Sequence, residues 1–575
     1  MKPLLQMRHP EPAVVEDLAK HLDCQPVIAT VLANRGIRTH DEAQRFLFPK
    51  LGDLRPPFAM AGMTPAVKRI VSAITNKEKI LIFGDYDADG VTAALLLQSF
   101  LRDAGNPAEV YLPHRIKEGY GLKSDQVLKV AVPAGIGLIV TVDCGASNHE
   151  AVDAASDHGI DVVVTDHHRQ PMPLPRSLAL INPQRSDCDT GFESLAGVGV
   201  AFQLAVCLRS HLRNIGFWRS RPEPDLRRLC DLVALGTVAD ICPMTGDNRI
   251  LTRAGLTVLN QGIRPGLAAL TAASGLRLGQ VTATDIAFRL APRINAAGRI
   301  GHAGLAFELL SETDPVKADT ICRRLNQMNS QRQDLETEIL EQIQRQIEQR
   351  PELLSAPALV LAQDDWHPGV LGIVAARLAR AHSRPAVLMT TADGMAKGSA
   401  RSIPGVNLHA CLQACESLLE GFGGHAQAAG LSLCTDRLDD FSRRFMETVV
   451  EHSHPEDFIS RLQVDCQLDL ALVTADLIEA IEGLGPFGTD NPEPVFLATD
   501  LTVVTSKIVG SRHLKMTLRQ KDQPAGRPVE SIQFNADSTD TPIPRFFKQV
   551  AFRLGLNRWN GNRTPQMIVE AVWTS

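Results

Sequence analysis

Three stretches of the chain repeat one pattern, in which an apolar, β-branched run is followed by a cluster of Asp or His and then by helix-like sequence. The clusters are GDYDADG at 84–90, VDCG at 142–145 and VTDHH at 164–168. Each stretch reads as strand, loop and helix, and strands joined through helices pair in parallel. The pattern predicts an α/β domain with a parallel sheet, whose carboxyl edge gathers the clusters where such sheets bind ligands.

A fourth cluster, GTVAD at 236–240, ends another apolar run. Aspartates gathered at one place repel one another and stay ionised only when cations neutralise them. Oxygen ligands with one or two imidazoles suit Mg²⁺ or Mn²⁺, and the histidines favour manganese. The four clusters together therefore predict a site for two metal ions.

Taken singly, the clusters have other interpretations. Residues 85–90 match the start of a calcium loop, but Leu96 stands where such a loop has a bidentate Glu, and a strand precedes the run instead of a helix. Asp143 alone would be a helix N-cap. Two adjacent histidines alone often lie on a solvated loop. The prediction of a metal site depends on the joint occurrence of all four clusters.

A long helix is predicted at 313–350. Thr313 or Asp314 can cap it, Pro315 suits its first turn and Pro351 ends it. Its apolar residues recur about every 3.6 positions, so one face should be buried. These residues are Ile321, Leu325, Met328, Leu335, Ile339, Ile343 and Ile347. At ~1.5 Å per residue the helix would span about 54 Å, which is enough to connect two domains.

The last part of the chain is basic and rich in predicted strands. From Leu501 to Ser575 it has 11 Lys and Arg against 5 Asp and Glu, whereas the whole chain has 59 against 65. A basic tail on an acidic enzyme indicates a polyanionic partner. Five short strands predict a small barrel such as an OB fold. Aromatic residues there could stack on bases, although at least half should be core: Phe534, Phe546, Phe547, Phe552, Trp559 and Trp573.

In this order, and with GGHAQAAG at 423–430, the clusters resemble the DHH phosphoesterase superfamily with its DHHA1 domain. Within it they resemble the RecJ branch, bacterial exonucleases specific for single-stranded DNA. Further similar stretches are LPHRIKEGYGL at 112–122, PRINAAGRIGHA at 292–303, WHPGVLGIVAARL at 366–378 and GSARSI at 398–403. The resemblance implies an OB fold in the tail. It divides the chain into an N-terminal lead segment (1–45), a DHH catalytic domain (46–312), the connector helix (313–350), a DHHA1 domain (351–455) and an OB-fold single-strand-binding domain (456–575).

The resemblance also implies roles at the metal site. The expected ligands are Asp87, Asp89, Asp143, His167 and Asp240, with Asp85 as a further ligand or a support. Asp143 should bridge the two ions. His168 should face the scissile phosphate, and Asp166 should orient a histidine.

The resemblance implies a second group that binds substrate phosphates, in which Arg115, Ser399 and Arg401 should hold a terminal 5′ phosphate. Its members are Arg115, Ser399, Arg401, Gly424 and His425. Arginine suits this role because its planar fork pairs with phosphate oxygens. The glycines around His425 would let the backbone approach a phosphate, and the helix-like residues after it are predicted to offer a positive helix end.

The function implied by the resemblance is a processive, metal-dependent 5′ to 3′ exonuclease on single-stranded DNA, serving recombination, DNA repair and mismatch excision. Expected partners are single-strand binding protein and a RecQ-type helicase, with the enzyme itself a monomer. Two alternatives stay open. A DHH-family oligonucleotidase or phosphatase for short substrates would leave the basic tail without a purpose. A catalytically idle DNA-binding scaffold would require lost ligands, and none is lost in this sequence.

Composition sets the remaining limits. A chain of 575 residues is too long for one core and predicts three or four domains. Its 44% hydrophobic and 22% charged residues are ordinary for a folded soluble protein. We find no apolar run of roughly 18 residues, and the first residues lack a signal-peptide core. With scattered cysteines, the expected location is the reducing cytoplasm.

Overall fold

A computed structural model of the chain describes residues 3–169, 172–510, 512–521, 526–536, 543–559 and 562–574. The chain forms two compact units, Leu54–Phe458 and Met1–Asp53 with Ile459–Ser575. The first unit contains the four acidic and histidine clusters, and the second contains the basic tail. Among the described residues, no helix is both long enough and apolar enough to cross a membrane.

The strands are numbered in chain order. They are β1 Leu4–Met7, β2 Ile80–Gly84, β3 Glu109–Tyr111, β4 Leu138–Val142, β5 Asp161–Thr165, β6 Ala179–Ile181, β7 Leu359–Asp364, β8 Ala386–Ala392, β9 Met395–Arg401, β10 Gly421–Gly424, β11 Ala428–Cys434, β12 Arg461–Val464, β13 Cys466–Gln467, β14 Phe496–Val509, β15 His513–Gln520, β16 Val529–Gln533, β17 Phe546–Trp559 and β18 Asn562–Trp573. The helices of eight or more residues are Pro12–Leu22, Pro26–Asn34, His40–Leu47, Met63–Asn76, Ala88–Asp103, His149–Asp157, Gly197–Asn214, Cys230–Ala239, Gly246–Asn260, Pro265–Ala273, Ala291–Ile300, Gly304–Ser311, Pro315–Gln349, Pro368–His382, Leu438–Glu451 and Ala475–Gly483.

The predicted parallel sheet is confirmed. Its strand order is β3-β2-β4-β5-β6, and all neighbours run parallel. Every residue of β2 and β4 is buried, as expected for strands covered on both faces, which read as continuous apolar runs. Gly84 pairs with Val142, and Val142 pairs with Thr165. The residues that follow these three strand ends therefore begin side by side at one edge of the sheet.

A second, mixed sheet lies in the same unit, with the order β10-β11-β9-β8-β7. Strands β7 and β8 are parallel, and the other neighbours are antiparallel. Its core includes residues of the helix Pro368–His382, of the helix Leu438–Glu451 and of the last turns of the long helix, where Ile339, Ile343 and Ile347 are buried. The long helix thus packs its C-terminal half into the core of this sheet.

The predicted connector helix is confirmed as Pro315–Gln349. Asp314 caps it by accepting hydrogen bonds from the backbone N–H groups of Val316 and Lys317, so Asp314 and not Thr313 is the cap. The buried face differs from the predicted apolar stripe in the middle of the helix. Met328 and Leu335 are only half-buried.

Polar residues fill the middle of the buried face of this helix. Asn329, Arg332 and Glu336 are each less than a tenth exposed. Arg332 donates to Glu336 and, at 2.8 Å, to Asn329, while Arg377 lies 2.9 Å from Glu336. A buried carboxylate is tolerated when cations pair with it on more than one side. This ion group therefore lies in the buried face beside Leu335, which still packs against the core of the mixed sheet.

The tail forms the predicted barrel. Strand β14 pairs with β15 and β17, β15 with β16, β16 with β18, and β18 with β17. These pairings close a ring of five strands, as an OB fold requires. The short β13 extends β14 in parallel.

The N-terminal residues share the hydrophobic core of the barrel. Leu18, Val27 and Leu32 from the first two helices lie in one buried cluster with Phe496 and Phe552. Strand β1 also pairs in parallel with β12. Residues 1–53 are therefore part of the same compact unit as the basic tail.

Candidate metal centre and phosphate site

The acidic loops of the parallel sheet meet at its carboxyl edge, and His167 lies at their centre. The Nε2 atom of His167 is 3.1 Å from Asp143 Oδ1, 3.7 Å from Asp240 Oδ2 and 3.8 Å from Asp89 Oδ2. Asp85, Asp87 and Asp143 also place one oxygen each within 4.8 Å of one another. Residues from all four clusters are thus gathered in one place.

Local backbone structure holds each carboxylate. Asp87 is the N-cap of the helix Ala88–Asp103 and accepts from the backbone N–H groups of Asp89 and Gly90. Asp89 itself accepts at 2.7 and 2.9 Å from the N–H groups of Gly197 and Val198, the first residues of another helix. The positive end of that helix favours a carboxylate. Backbone N–H groups therefore fix the orientation of these two side chains.

Gly197 permits the close approach of Asp143 to this helix. A Cβ atom at position 197 would lie 2.6 Å from Asp143 Oδ1. Asp143 has a φ of 61°, a left-handed conformation that aspartate and asparagine tolerate better than most residues. The left-handed turn after β4 therefore directs the Asp143 carboxylate toward the other carboxylates of the cluster.

The electrostatics of the cluster require positive charge. Burial, followed by repulsion from neighbouring carboxylates, raises the pKa of Asp85, Asp89 and Asp143 well above the usual range. Asp85 Oδ1, Asp143 Oδ1 and His167 Nε2 are buried and have no hydrogen-bond partner among the described residues. Carboxylate oxygens with imidazole nitrogen are the donors that Mn²⁺ and Mg²⁺ accept. The residues present therefore fit divalent cations.

Asp166 orients His168. Its Oδ1 accepts from the His168 Nδ1 at 2.8 Å and from the backbone N–H groups of His167 and His168, while its Oδ2 accepts from the N–H of Ala146 at 2.9 Å. Burial alone would lower the pKa of His168, but the hydrogen bond and charge of Asp166 raise it to about 9. The Tyr120 hydroxyl lies 3.1 Å from the same ring nitrogen. The His168 ring is thus held beside the carboxylate cluster, with its Nδ1 4.0 Å from Asp143 Oδ1.

An arginine group lies in the same unit as the carboxylates. Burial, then the charges of Arg115 and Arg401, lower the pKa of Arg299 to about 9. Burial and Arg115 also lower the pKa of Arg401. Arg401 and Ser399 both lie against the backbone at Gly372. A Cβ atom at that position would be 2.7 Å from an Arg401 nitrogen and 3.6 Å from the Ser399 hydroxyl. The structure therefore brings Arg115, Ser399 and Arg401 together, and it adds Arg299.

The GGHAQAAG stretch also faces the site, but its predicted helix is wrong. Residues 421–424 and 428–434 form the strands β10 and β11 of a hairpin, and the N–H of His425 donates to the carbonyl of Ala428 at 2.8 Å. Burial, then the charges of His168 and Arg169, lower the pKa of His425. Gly424 has a φ of 142°, so the turn uses its conformational freedom.

Three residues of this region are not predicted from the sequence. They are Tyr120, Arg299 and Cys242. Arg299 lies inside the PRINAAGRIGHA stretch, so the family resemblance of that stretch could have marked it as a candidate site residue. Cys242 lies two residues beyond Asp240, but a cysteine without a second cysteine at metal-ligand spacing carries little signal in a sequence.

Comparison with known proteins identifies three domains along the chain. Three family models match the chain in order, namely the DHH family N-terminal domain at residues 79–237, the DHHA1 domain at 355–451 and the RecJ OB domain at 464–571. The chain is 38% identical over 564 residues to the single-stranded-DNA-specific exonuclease RecJ of Dickeya dadantii, covering 95% of this chain and 96% of the relative. It is 36% identical over 590 residues to the protein of the same name from Escherichia coli, with both chains covered completely.

A solved structure shows the same fold. The crystal structure of RecJ in complex with Mn²⁺ from Thermus thermophilus matches with a TM-score of 0.84 and 29% identity, covering 100% of this chain and 80% of that one. The same Thermus protein has also been solved in complex with Mg²⁺. Full-length similarity to the Dickeya and Escherichia proteins, with the three domain types in the same order, shows that the chain belongs to the RecJ family.

Proposed function

We propose that the chain is a metal-dependent exonuclease that degrades single-stranded DNA from its 5′ end. The observation that carries the proposal is a buried carboxylate and imidazole cluster in one compact unit with an arginine group, since the first suits cations and the second suits a phosphate. The RecJ relatives are named single-stranded-DNA-specific exonucleases. We also propose roles in recombination, repair and mismatch excision, which the family resemblance supports.

Asp87, Asp89, Asp143, His167 and Asp240 would hold two divalent cations, with Asp85 beside them. When bound, such ions neutralise phosphate oxygens and make water nucleophilic near neutral pH. Asp143 can reach both parts of the cluster. Its carboxylate has an oxygen within 4.8 Å of ligand atoms of Asp85 and Asp87, and an oxygen within 4.8 Å of ring nitrogens of His167 and His168. It is therefore the proposed bridge between the two ions.

The remaining residues would hold the DNA. His168, fixed by Asp166, would donate a hydrogen bond to the scissile phosphate. Arg115, Arg299 and Arg401 would hold the terminal 5′ phosphate with Ser399. The turn at Gly424 and His425 would approach the same strand end. A pocket for a terminal phosphate explains attack from the 5′ end, because an internal phosphodiester has less negative charge to offer the arginines.

In the second unit, one face of the barrel suits single-stranded DNA. Lys507 lies opposite Lys515 in the register of β14 and β15, and Lys515 forms an ion pair with Glu530 at 3.0 Å. The His513 and Phe534 rings make an edge contact at 5.2 Å. Phe534 is half-exposed. Cations beside an exposed ring are what single-strand binders use. Of the other aromatic residues, Phe547 and Phe552 are core, Phe546 and Trp573 are partly buried, and the Trp559 side chain lies outside the described residues.

We expect Lys507→Ala to flatten the salt dependence of binding to long single-stranded DNA, lowering the slope of log Kd against log salt by about 0.7 if one phosphate contact is lost. Phe534→Ala should weaken binding by about 1 kcal/mol, roughly fivefold. Fluorescence anisotropy at several salt concentrations measures both effects. Lys20→Ala, an exposed lysine of the same unit, is the control. If both variants bind like Lys20→Ala, the proposed DNA-binding face is wrong.

The proposed function is tested with one oligonucleotide labelled at either end. With 5′ label, single-stranded DNA should release labelled mononucleotide at once, whereas 3′ label should give a descending ladder. The matching duplex should resist digestion. Rapid cleavage of dinucleotides with slow attack on the long strand would instead support the oligonucleotidase alternative. No cleavage with either Mn²⁺ or Mg²⁺ would support the idle scaffold.

The family resemblance supports three further assignments. We propose that single-strand binding protein and a RecQ-type helicase supply the substrate, that the enzyme acts as a monomer, and that it works in the cytoplasm. Co-purification from cell extract followed by sedimentation analysis would test the first two assignments.

A further inference from the structure

Cys242 reaches the metal centre because of how the helix Cys230–Ala239 ends. The N–H of Ile241 donates to Val238 O, and the N–H of Cys242 donates to Thr237 O, the two bonds of a Schellman motif. Such a motif needs a left-handed residue, usually glycine, and here it is Ile241 with a φ of 58°. This turn brings the Cys242 Sγ to 3.1 Å from Asp240 Oδ2. Cys242 is only 8% exposed.

A second group aims at the same point. His167 Nε2 is buried without a hydrogen-bond partner among the described residues and lies 3.7 Å from Asp240 Oδ2. The three ligand atoms of His167, Asp240 and Cys242 all lie within 4.8 Å of one another. One nitrogen, one oxygen and one sulfur donor therefore face a common point.

The spacing of these atoms suits a tetrahedral ion. Zn–N and Zn–S bonds of about 2.0–2.3 Å place ligand atoms roughly 3.3–3.8 Å apart in a tetrahedron. The observed separation of 3.7 Å between nitrogen and oxygen lies within that range, and the 3.1 Å between sulfur and oxygen lies just below it. Sulfur is a poor ligand for Mg²⁺ and a good one for Zn²⁺. The cysteine thus adds a preference for Zn²⁺ over Mg²⁺ that the carboxylates alone do not have.

We propose that His167, Asp240 and Cys242 form a binding position for a thiophilic divalent ion such as Zn²⁺, which competes there with Mn²⁺ or Mg²⁺. On binding, the thiol releases its proton to solvent and the sulfur bonds to the ion, with no change of oxidation state. The competition rests on the proposed function, in which His167 and Asp240 hold Mn²⁺ or Mg²⁺, whereas the Cys242 contact is tested without any nuclease assay. In the competing interpretation, the thiol only donates a hydrogen bond to Asp240.

Cadmium is a suitable probe, because a thiolate bound to Cd²⁺ gives an ultraviolet charge-transfer band that a thiol does not give. Metal-free full-length protein is titrated with Cd²⁺ without DNA, so the result does not depend on nuclease activity. The wild type should show a band that saturates at one ion per chain. Cys242→Ser and Cys242→Val should lack this band. Cys434→Ser, a partly exposed cysteine of the mixed sheet, should keep it.

Zinc affinity gives a second measurement on the same proteins. Competition with a chromophoric chelator should show at least about tenfold weaker Zn²⁺ binding in both Cys242 variants, as expected when a metal site loses a supporting residue. Circular dichroism establishes that each variant is folded, and the valine variant preserves apolar packing if serine does not. A wild-type band that persists in the folded Cys242 variants, no band in the wild type, or equal Zn²⁺ affinities would each overturn the proposal.

Discussion

Replacing Asp143 with asparagine should reduce kcat for single-stranded DNA by at least about a thousandfold, or ~4 kcal/mol of barrier. The reason is that loss of the bridging carboxylate leaves two cations without a shared anion between them. Asparagine is the right substitution because Asp143 has a φ of 61°, which asparagine tolerates and alanine does not. Single-turnover digestion of a 5′-labelled oligonucleotide at saturating Mn²⁺ measures the effect.

The same variant makes a prediction about stability. Burial and neighbouring carboxylates raise the pKa of Asp143, so its ionised form destabilises the folded, metal-free protein at neutral pH. The asparagine variant should therefore melt at the same or a higher Tm without metal, and it should gain less from added Mn²⁺. Asp125→Asn, an exposed aspartate paired with Lys129, is the control and should match the wild type. Activity of Asp143→Asn within tenfold of wild type would refute the bridging role.

Arg401→Ala should remove most of the preference for a 5′ phosphate over a 5′ hydroxyl. A charge-assisted hydrogen bond contributes about 1.5–3 kcal/mol, which corresponds to roughly 10- to 150-fold in kcat/KM. The phosphorylated strand should lose this factor, whereas the hydroxyl strand should lose much less. The comparison uses kcat/KM because it reports transition-state binding relative to free enzyme and substrate.

Two further variants sharpen this test. Arg401→Lys keeps the charge but not the planar fork, so it should retain only part of the preference. Arg380→Ala, an exposed arginine at the end of the helix Pro368–His382, should change neither substrate. If Arg401→Ala depresses both strand ends alike, Arg401 contacts the DNA backbone generally and the terminal pocket is refuted, although the nuclease assignment stands.

Much of the fold and of the metal centre could be predicted because local patterns determine them. The strands β2, β4 and β5 are continuous apolar runs, so their parallel pairing and the meeting of Asp85, Asp143 and Asp166 at one edge follow from chain order. The connector helix was predictable from its 3.6-residue period and from Pro315 at its start. The barrel was predictable from short alternating strands such as β15.

The rest depends on contacts between residues distant in sequence. The AQAAG residues after His425 have helix-forming alanines, but pairing of β11 with β9, such as Gly430 with Ser399, places the last three of them in a strand. Cys242 reaches Asp240 only because Ile241 adopts a left-handed conformation that its residue type disfavours. No local pattern shows that Leu18 would share a core with Phe552.

Anomalous diffraction from crystals grown with Mn²⁺ will show whether the four clusters hold two metal ions. We predict two manganese peaks about 3.5–4 Å apart, both bonded to Asp143, with Asp87, Asp89, His167 and Asp240 completing the ligands. A single peak, or two peaks away from Asp143, would contradict a two-metal site bridged by Asp143.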